Sequence, residues 1–124
     1  MKRGEIWTAA GGSGFAGKPR PVVIVQDDRF DATDSVTICG FTTDPTDAPL
    51  IRLLTRPDEL NGLREASSMM VDKITTVPRA RLGQRMGRLA DDDMVRLGRA
   101  MAVFLGLAGQ KRRATSGPRR PSGR

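Results

Sequence analysis

The sequence predicts a mainly β domain: a small, strongly bent β-barrel or half-barrel closed by a single C-terminal helix. Three observations lead there. Short apolar or alternating runs recur between Glu5 and Leu89, separated by Gly, Pro and Asp clusters, which is the pattern of short strands joined by turns. Only after Asp91-Asp92-Asp93 do apolar residues fall at three- and four-residue spacings, the period of one helix face. The 124 residues suffice for one domain with a real core, near the small end of the usual range.

In chain order, Glu5-Ile6-Trp7-Thr8-Ala9 alternates and gives the first strand, with Trp7 as core. Ala10 to Gly17 is a glycine-rich loop. Gly12, Gly14 and Gly17 satisfy G-x-G-x-x-G, but a dinucleotide site needs a helix directly after the glycines. Prolines and a β-branched run follow instead, so the match is accidental. In Lys18-Pro19-Arg20-Pro21 each cation precedes a proline, which biases it toward extended backbone. Val22 to Val25 is a buried strand by its continuous β-branched content.

Residues 27–34 form a polar loop whose four aspartates lack the glycine and terminal glutamate of a calcium loop. Ser35 to Thr43 alternates as a strand ended by Asp44-Pro45, and Leu50 to Leu54 gives another. Asn61-Gly62 is a turn signal. Glu65–Val71 and Ile74–Val77 continue the strand chemistry, with Ser67 and Ser68 on a solvated face, and Pro78 breaks the chain. Leu82 to Leu89 is the last short strand. Asp91-Asp92-Asp93 supplies an N-cap and first-turn carboxylates. Met94, Leu97, Met101, Phe104 and Leu105 then make the apolar face of the helix, which Gly106 to Gly109 ends. The chain divides into a folded body, residues 1–110, and a basic tail, residues 111–124, whose Pro/Gly/Ser/Arg composition predicts disorder.

Composition narrows the chemistry. The net charge is +7, yet residues 111–124 hold six of the 21 basic residues and no acid. Residues 1–110 therefore hold 15 basic and 14 acidic groups, a net of +1. The basic character belongs to the tail and does not argue for nucleic-acid binding by the fold. There is no histidine, which removes the usual general acid–base residue and the commonest metal ligand. With no tyrosine, one tryptophan and four phenylalanines, stacking several bases on aromatics is excluded as the main binding mode. No metal-ligand spacing and no cofactor fingerprint remain. Cys39 is the lone cysteine and reads as a core filler. There is no apolar run of about 18 residues to span a membrane and no apolar leader after Met1. Together with the unpaired cysteine, this predicts a cytoplasmic protein.

The groups left for chemistry are arginine, lysine, carboxylates and hydroxyls. Cleavage of RNA by its own 2′-OH suits such a set, because the protein must chiefly collect the negative charge that develops on phosphorus. A stiffly held guanidinium gives bidentate charge-assisted bonds to two phosphoryl oxygens, and a hydroxyl adds another. Arg20 is the candidate cation and Thr42-Thr43, at a strand end, the candidate hydroxyls. Taken alone, Arg20 also fits an ordinary surface arginine that opens a strand.

The order of these pieces resembles the MazF/PemK (Kid) family of bacterial toxins over about residues 3–109. The likeness is carried by Lys2-Arg3-Gly4-Glu5-Ile6-Trp7, the loop from Gly12-Ser13 to Gly17, Arg20-Pro21-Val22-Val23-Ile24-Val25, and the strand Ile38 to Thr43. Ile74-Thr75-Thr76-Val77 and the helix running to Leu105-Gly106-Leu107 complete it. The resemblance implies an SH3-like barrel of the CcdB/MazF type that acts as a homodimer. It implies metal-independent, sequence-selective cleavage of single-stranded RNA and inhibition by a cognate antitoxin. The family's catalytic arginine falls on Arg20 and its catalytic threonine on Thr42, with Thr43 as a shifted alternative. Ser13, Lys18, Thr43 and Lys73 form the implied RNA-contacting set. One departure stands out: the family loop often reads Gly-Ser-Glu-Gln, whereas here Ser13 is followed by Gly14-Phe15. A loop carboxylate is missing, which bears on RNA sequence preference and leaves the Arg20/Thr42 pair intact. Two other readings stay in view: a non-enzymatic CcdB-like toxin that binds DNA gyrase, and a nucleic-acid-binding module that works through its basic tail.

Overall fold

The computed structural model describes residues 1–10 and 18–108. The strands are β1 (Glu5–Ala9), β2 (Arg20–Ile24), β3 (Ser35–Thr42), β4 (Arg52–Thr55), β5 (Ser67–Met70), β6 (Thr75–Pro78) and β7 (Leu82–Arg88), followed by the helix α1 (Asp91–Phe104). Every ladder is antiparallel, and the strands run in the order β4-β5-β3-β2-β1-β7 with β6 beside β3.

The bend originates in β3. One edge of this eight-residue strand pairs with β2. Its other edge is shared: Ser35–Ile38 pair with β6, and Phe41–Thr42 pair with β5. A 3-10 turn, Val71–Lys73, joins the two partners. The sheet thus folds over along β3, and its end strands β4 and β7 do not pair with each other among the described residues. The mainly β expectation holds, as an open half-barrel.

Alternation sorts side chains onto two faces. One carries the cluster that includes Ile6, Val23, Val25, Cys39, Phe41, Met69, Val71 and Leu89, which Leu97 of α1 joins. The other carries Ala9, Val22, Ile24, Val36, Ile38 and Leu82, flanked by Trp7 and Val77. Val22 to Val25 is continuously apolar because both faces of β2 are covered. Each such side chain contributes about 2 kcal/mol by leaving water.

Several local expectations are corrected. The N-cap of α1 is Ala90, with no side-chain cap bond; Asp91, Asp92 and Asp93 all lie within the first turn, where the helix dipole favours them. Phe104 and Leu105 are 47% and 56% exposed, because α1 packs on the core only through Met94, Leu97, Ala100 and Met101 and its end overhangs. The aspartate-rich loop contains a 3-10 turn, Asp28–Phe30, whose Arg29 N–H donates to Asp27 Oδ1 at 2.8 Å. β6 ends at Pro78, one residue beyond the expected strand; it is an edge strand beside β3, which tolerates the missing N–H. Ser67 is buried, its hydroxyl donating to the Glu65 carbonyl at 3.0 Å, so it lies on no solvated face.

The Asn61-Gly62 turn is more than a turn. Asn61 is 1% exposed; its Oδ1 accepts from the Asp58 and Leu63 N–H groups at 3.2 and 2.9 Å, and its Nδ2 donates to the Arg56 carbonyl at 2.9 Å. The loop it organises lies directly on β7, where Arg88 N–H donates to Leu60 O at 2.9 Å. Two glycines allow that approach. Gly62 has φ +71°, and a Cβ there would stand 2.3 Å from Met86 O; at Gly87 it would stand 2.2 Å from Leu60 O.

Candidate active site

The ladders bring four residues into one row. Val22 pairs with Gly40, and Ile24 with Ile38; the same register continued by two residues sets Arg20 across from Thr42. Ala9 is the partner of Arg20 on the other side, and Leu82 is the partner of Ala9. The row Thr42–Arg20–Ala9–Leu82 therefore crosses four strands, about 14 Å at ordinary interstrand spacing.

A cleft of about 470 Å³ opens over this row. Val22, Ile38, Gly40, Met70 and Val77 give it an apolar floor; Arg20, Thr42, Lys73, Thr75 and Arg81 supply its polar groups. Among the described lining residues there are three cations and no carboxylate, so the cleft favours an anion.

Each polar group is held by its element. Arg20 opens β2 between Pro19 and Pro21 and is exposed. Thr42 closes β3 and is half-buried. Its Oγ1 accepts from Asp44 N–H at 3.1 Å, which orients the hydroxyl and leaves its own proton for an incoming acceptor. Lys73 ends the 3-10 turn Val71–Lys73. That turn is tied to the β4 region by Val71 N–H donating to Ile51 O at 2.9 Å and by a forked pair, Arg52 Nε and Nη2 to the two Asp72 oxygens at 3.0 and 3.1 Å. Hydrogen bonding from Arg52 holds the Asp72 carboxyl below its ordinary value, and the same bonding raises Arg52. The neighbouring carboxylate is thereby engaged rather than left to oppose an anion at Lys73.

Of the residues singled out from the sequence, Arg20, Thr42 and Lys73 come together in the cleft. Thr43 lies beyond the end of β3, exposed and outside the lining; Lys18 is exposed ahead of β2 and also outside it. Ser13 and the loop around it lie outside the described residues, as does the tail from residue 109. Arg81, Met70 and Gly40 were not anticipated. Gly40 carried a signal, since a glycine within a strand marks a close approach: a Cβ there would meet Met70 Cε at 3.1 Å. Arg81 carried none, because only the fold brings β7 beside β1.

A second hollow, of about 430 Å³, lies over Pro45–Pro49, Arg52, Leu54 and Arg96. Its arginines are engaged, Arg52 by Asp72 and Arg96 by Leu54 O at 2.8 Å and Asp93 Oδ1 at 3.0 Å. Among the described residues no three His, Cys, Asp or Glu side chains gather as a metal site, and no helix is long and apolar enough to cross a membrane. Cys39 is buried, and burial pushes its thiol up to about 12, as suits a core filler.

Known proteins are similar to this chain in sequence and fold. Residues 2–105 match the family described as PemK-like, MazF-like toxin of type II toxin–antitoxin system. A probable endoribonuclease MazF of Mycolicibacterium smegmatis is 60% identical over 109 residues, which is 88% of this chain and all of that protein. Among solved structures, a mycobacterial endoribonuclease in complex with its cognate antitoxin superposes with TM-score 0.72 at 25% identity, over 86% of this chain and 96% of the other. The Mycobacterium tuberculosis toxin MazF-mt6 gives 0.70 at 25% identity, over 83% and 97%. The gyrase-binding alternative is not favoured, since the family model and the 60% identical relative are both of the PemK/MazF type. From its fold, its cleft and these likenesses, the chain belongs to the PemK-like, MazF-like toxins of type II toxin–antitoxin systems.

Proposed function

We propose that the protein is the toxin of a toxin–antitoxin pair and a sequence-selective, metal-independent endoribonuclease acting on single-stranded RNA, whether mRNA, tRNA or rRNA. The observation that supports it best is the shared row of Arg20 and Thr42 beneath a cleft lined by cations and no described carboxylate. Arg20 binds two non-bridging oxygens of the scissile phosphate, and the Thr42 hydroxyl donates to the same group. The neighbouring 2′-oxygen attacks phosphorus as its proton leaves to solvent; the O2′–P bond forms, the P–O5′ bond breaks, and the departing 5′-oxygen takes a proton from solvent. A 2′,3′-cyclic phosphate and a protonated 5′-oxygen result. Preorganised donors of this kind are each worth about 3 kcal/mol in the transition state.

The rest of the molecule fits that reading. Exposed Leu50, Leu54, Val103, Phe104, Leu105 and Leu107 offer apolar surface for a second copy in a homodimer. An acidic and apolar segment of a cognate antitoxin would complement the cleft's cations and floor. The buried single thiol and an RNA substrate suit the cytoplasm. Residues 1–110 form the toxin domain, and residues 111–124 add a basic extension.

The test is cleavage of single-stranded RNA by the purified protein in EDTA, with 5′-end sequencing of the fragments. Arg20→Ala is expected to lower the rate by about 10²- to 10³-fold with an unchanged circular dichroism spectrum. Unimpaired cutting by that variant would remove Arg20 from the mechanism.

A further inference from the structure

The cleft holds two cations that the Arg20–Thr42 chemistry does not use, Lys73 and Arg81, and Arg81 lies on the far side of the row from Thr42. We infer that Arg81 anchors a second phosphate subsite, which binds the RNA backbone one or two linkages away from the bond that is cut. This rests on the reading of the cleft as the RNA site.

Position is the first support. Arg81 ends the 3-10 turn Arg79–Arg81 that leads into β7. Its neighbour Leu82 pairs with Ala9, which pairs with Arg20. Arg81 is thus one residue off the catalytic row and two strand spacings from Arg20, about 10 Å. That backbone separation, with both residues lining one cleft, lets the two guanidiniums address different phosphates.

Rigidity is the second. The Arg81 carbonyl accepts from Ala10 N–H at 2.9 Å, and the Leu82 N–H donates to Arg79 O. Arg79 itself donates to the Thr33 carbonyl. The backbone that presents Arg81 is fixed before any ligand arrives, which lowers the ordering cost of binding.

Availability is the third. Along this edge of the sheet, Arg79 is held by Thr33, Arg85 pairs with Glu5 at 3.3 Å, and Arg88 with Asp91 at 3.5 Å. The Arg81 guanidinium has no hydrogen-bond or ion-pair partner among the described residues, and Arg81 alone of the four lines the cleft. An arginine fork free of carboxylates and presented over an apolar floor matches a phosphate. The RNA backbone then runs across the strands from Thr42 and Arg20 toward Arg81.

The test uses the full-length protein and a short oligoribonucleotide containing the sequence that the wild type cuts. A 2′-deoxy substitution at the attacking nucleotide blocks cleavage, and binding is read by fluorescence anisotropy. A set of such RNAs each carries one uncharged methylphosphonate linkage. Wild type should lose about tenfold in affinity when the uncharged linkage lies one or two positions from the scissile one. Arg81→Ala should show that loss already on unmodified RNA and no further loss at that linkage. Its salt slope should fall by about 0.7, and on cleavable RNA KM should rise with kcat within twofold; Arg81→Lys, which keeps the charge and loses the fork, should restore the salt slope and only part of the affinity. Wild-type affinity in Arg81→Ala, continued sensitivity at the same linkage, or an altered sequence preference with an unchanged salt slope would each overturn the subsite. If wild type neither binds nor cuts RNA, the reading of the cleft fails and takes the subsite with it; if wild type cuts and only the Arg81 result fails, the reading stands.

Discussion

Thr42 is held as the proposed hydroxyl donor would need to be. Because its oxygen already accepts from Asp44 N–H, the hydroxyl proton has one useful direction left. Thr42→Ser should keep most of the cleavage rate, whereas Thr42→Val, of nearly the same shape, should lose about 10²-fold; single-turnover rates on the preferred RNA separate the two. Asp72 makes a different kind of contribution. Its carboxyl is held below the ordinary 3.8 by hydrogen bonding from Arg52, so the folded state gains stability above that value and loses it as pH falls through the folded value. The pair is partly exposed, at 13% and 23%, so its worth is about 1 kcal/mol. Urea unfolding should show Asp72→Asn less stable than wild type near neutral pH and equal to it once the wild-type carboxyl is protonated. That Arg20 and Thr42 stand at the ends of strands was legible, because proline clamps and a strand end leave marks in a sequence; the structure adds that they share one cleft. The place of Arg81 in that cleft was not, since it depends on two ladders that join residues 9, 20 and 82, and no local pattern encodes them.

Elements were legible where one face dominates and illegible where a neighbour decides. The strands Glu5–Ala9 and Leu82–Arg88 follow from alternation and turn residues. The segment after Glu65 reads as one strand followed by another, yet β3 has room for only two residues of β5 before β6 takes over its edge, and a 3-10 turn must intervene. The helix was predicted with five face residues, and the sheet beneath it supports only the first three, Met94, Leu97 and Met101. The 58–62 loop is the sharpest case, because its turn signal gave no hint of what the turn rests on. Gly87→Ala tests that contact: the added Cβ would stand 2.2 Å from Leu60 O, a backbone atom that cannot swing aside. It should destabilise the protein by about 3 kcal/mol or more, measured by thermal or urea unfolding. Gly106→Ala, in open space with φ +75°, should cost about 1 kcal/mol.

At the scale of the whole molecule, charge and shape divide the labour. Residues 1–110 are close to neutral, and six basic groups lie beyond them; the body's anion preference therefore comes from where Arg20, Lys73 and Arg81 stand rather than from net charge. Removing residues 111–124 should weaken RNA binding at low salt and reduce the salt slope while leaving kcat and the melting temperature unchanged. Full-length and shortened chains should converge near about 0.5 M salt, where screening shortens to a few ångströms. Loss of cleavage at all salt concentrations would instead place the active machinery in the tail.

The two ends of the open sheet have one further consequence. A sheet that does not close leaves strand edges able to recruit foreign strands and seed aggregation. Here the backbone N–H of Arg88 on β7 is taken by Leu60 O, and the Leu54 carbonyl on β4 is taken by the Arg96 guanidinium of α1. Both margins are partly occupied by the protein's own loop and helix. Each margin thus offers an incoming strand fewer free backbone groups than a bare edge would, which works against growth by strand addition.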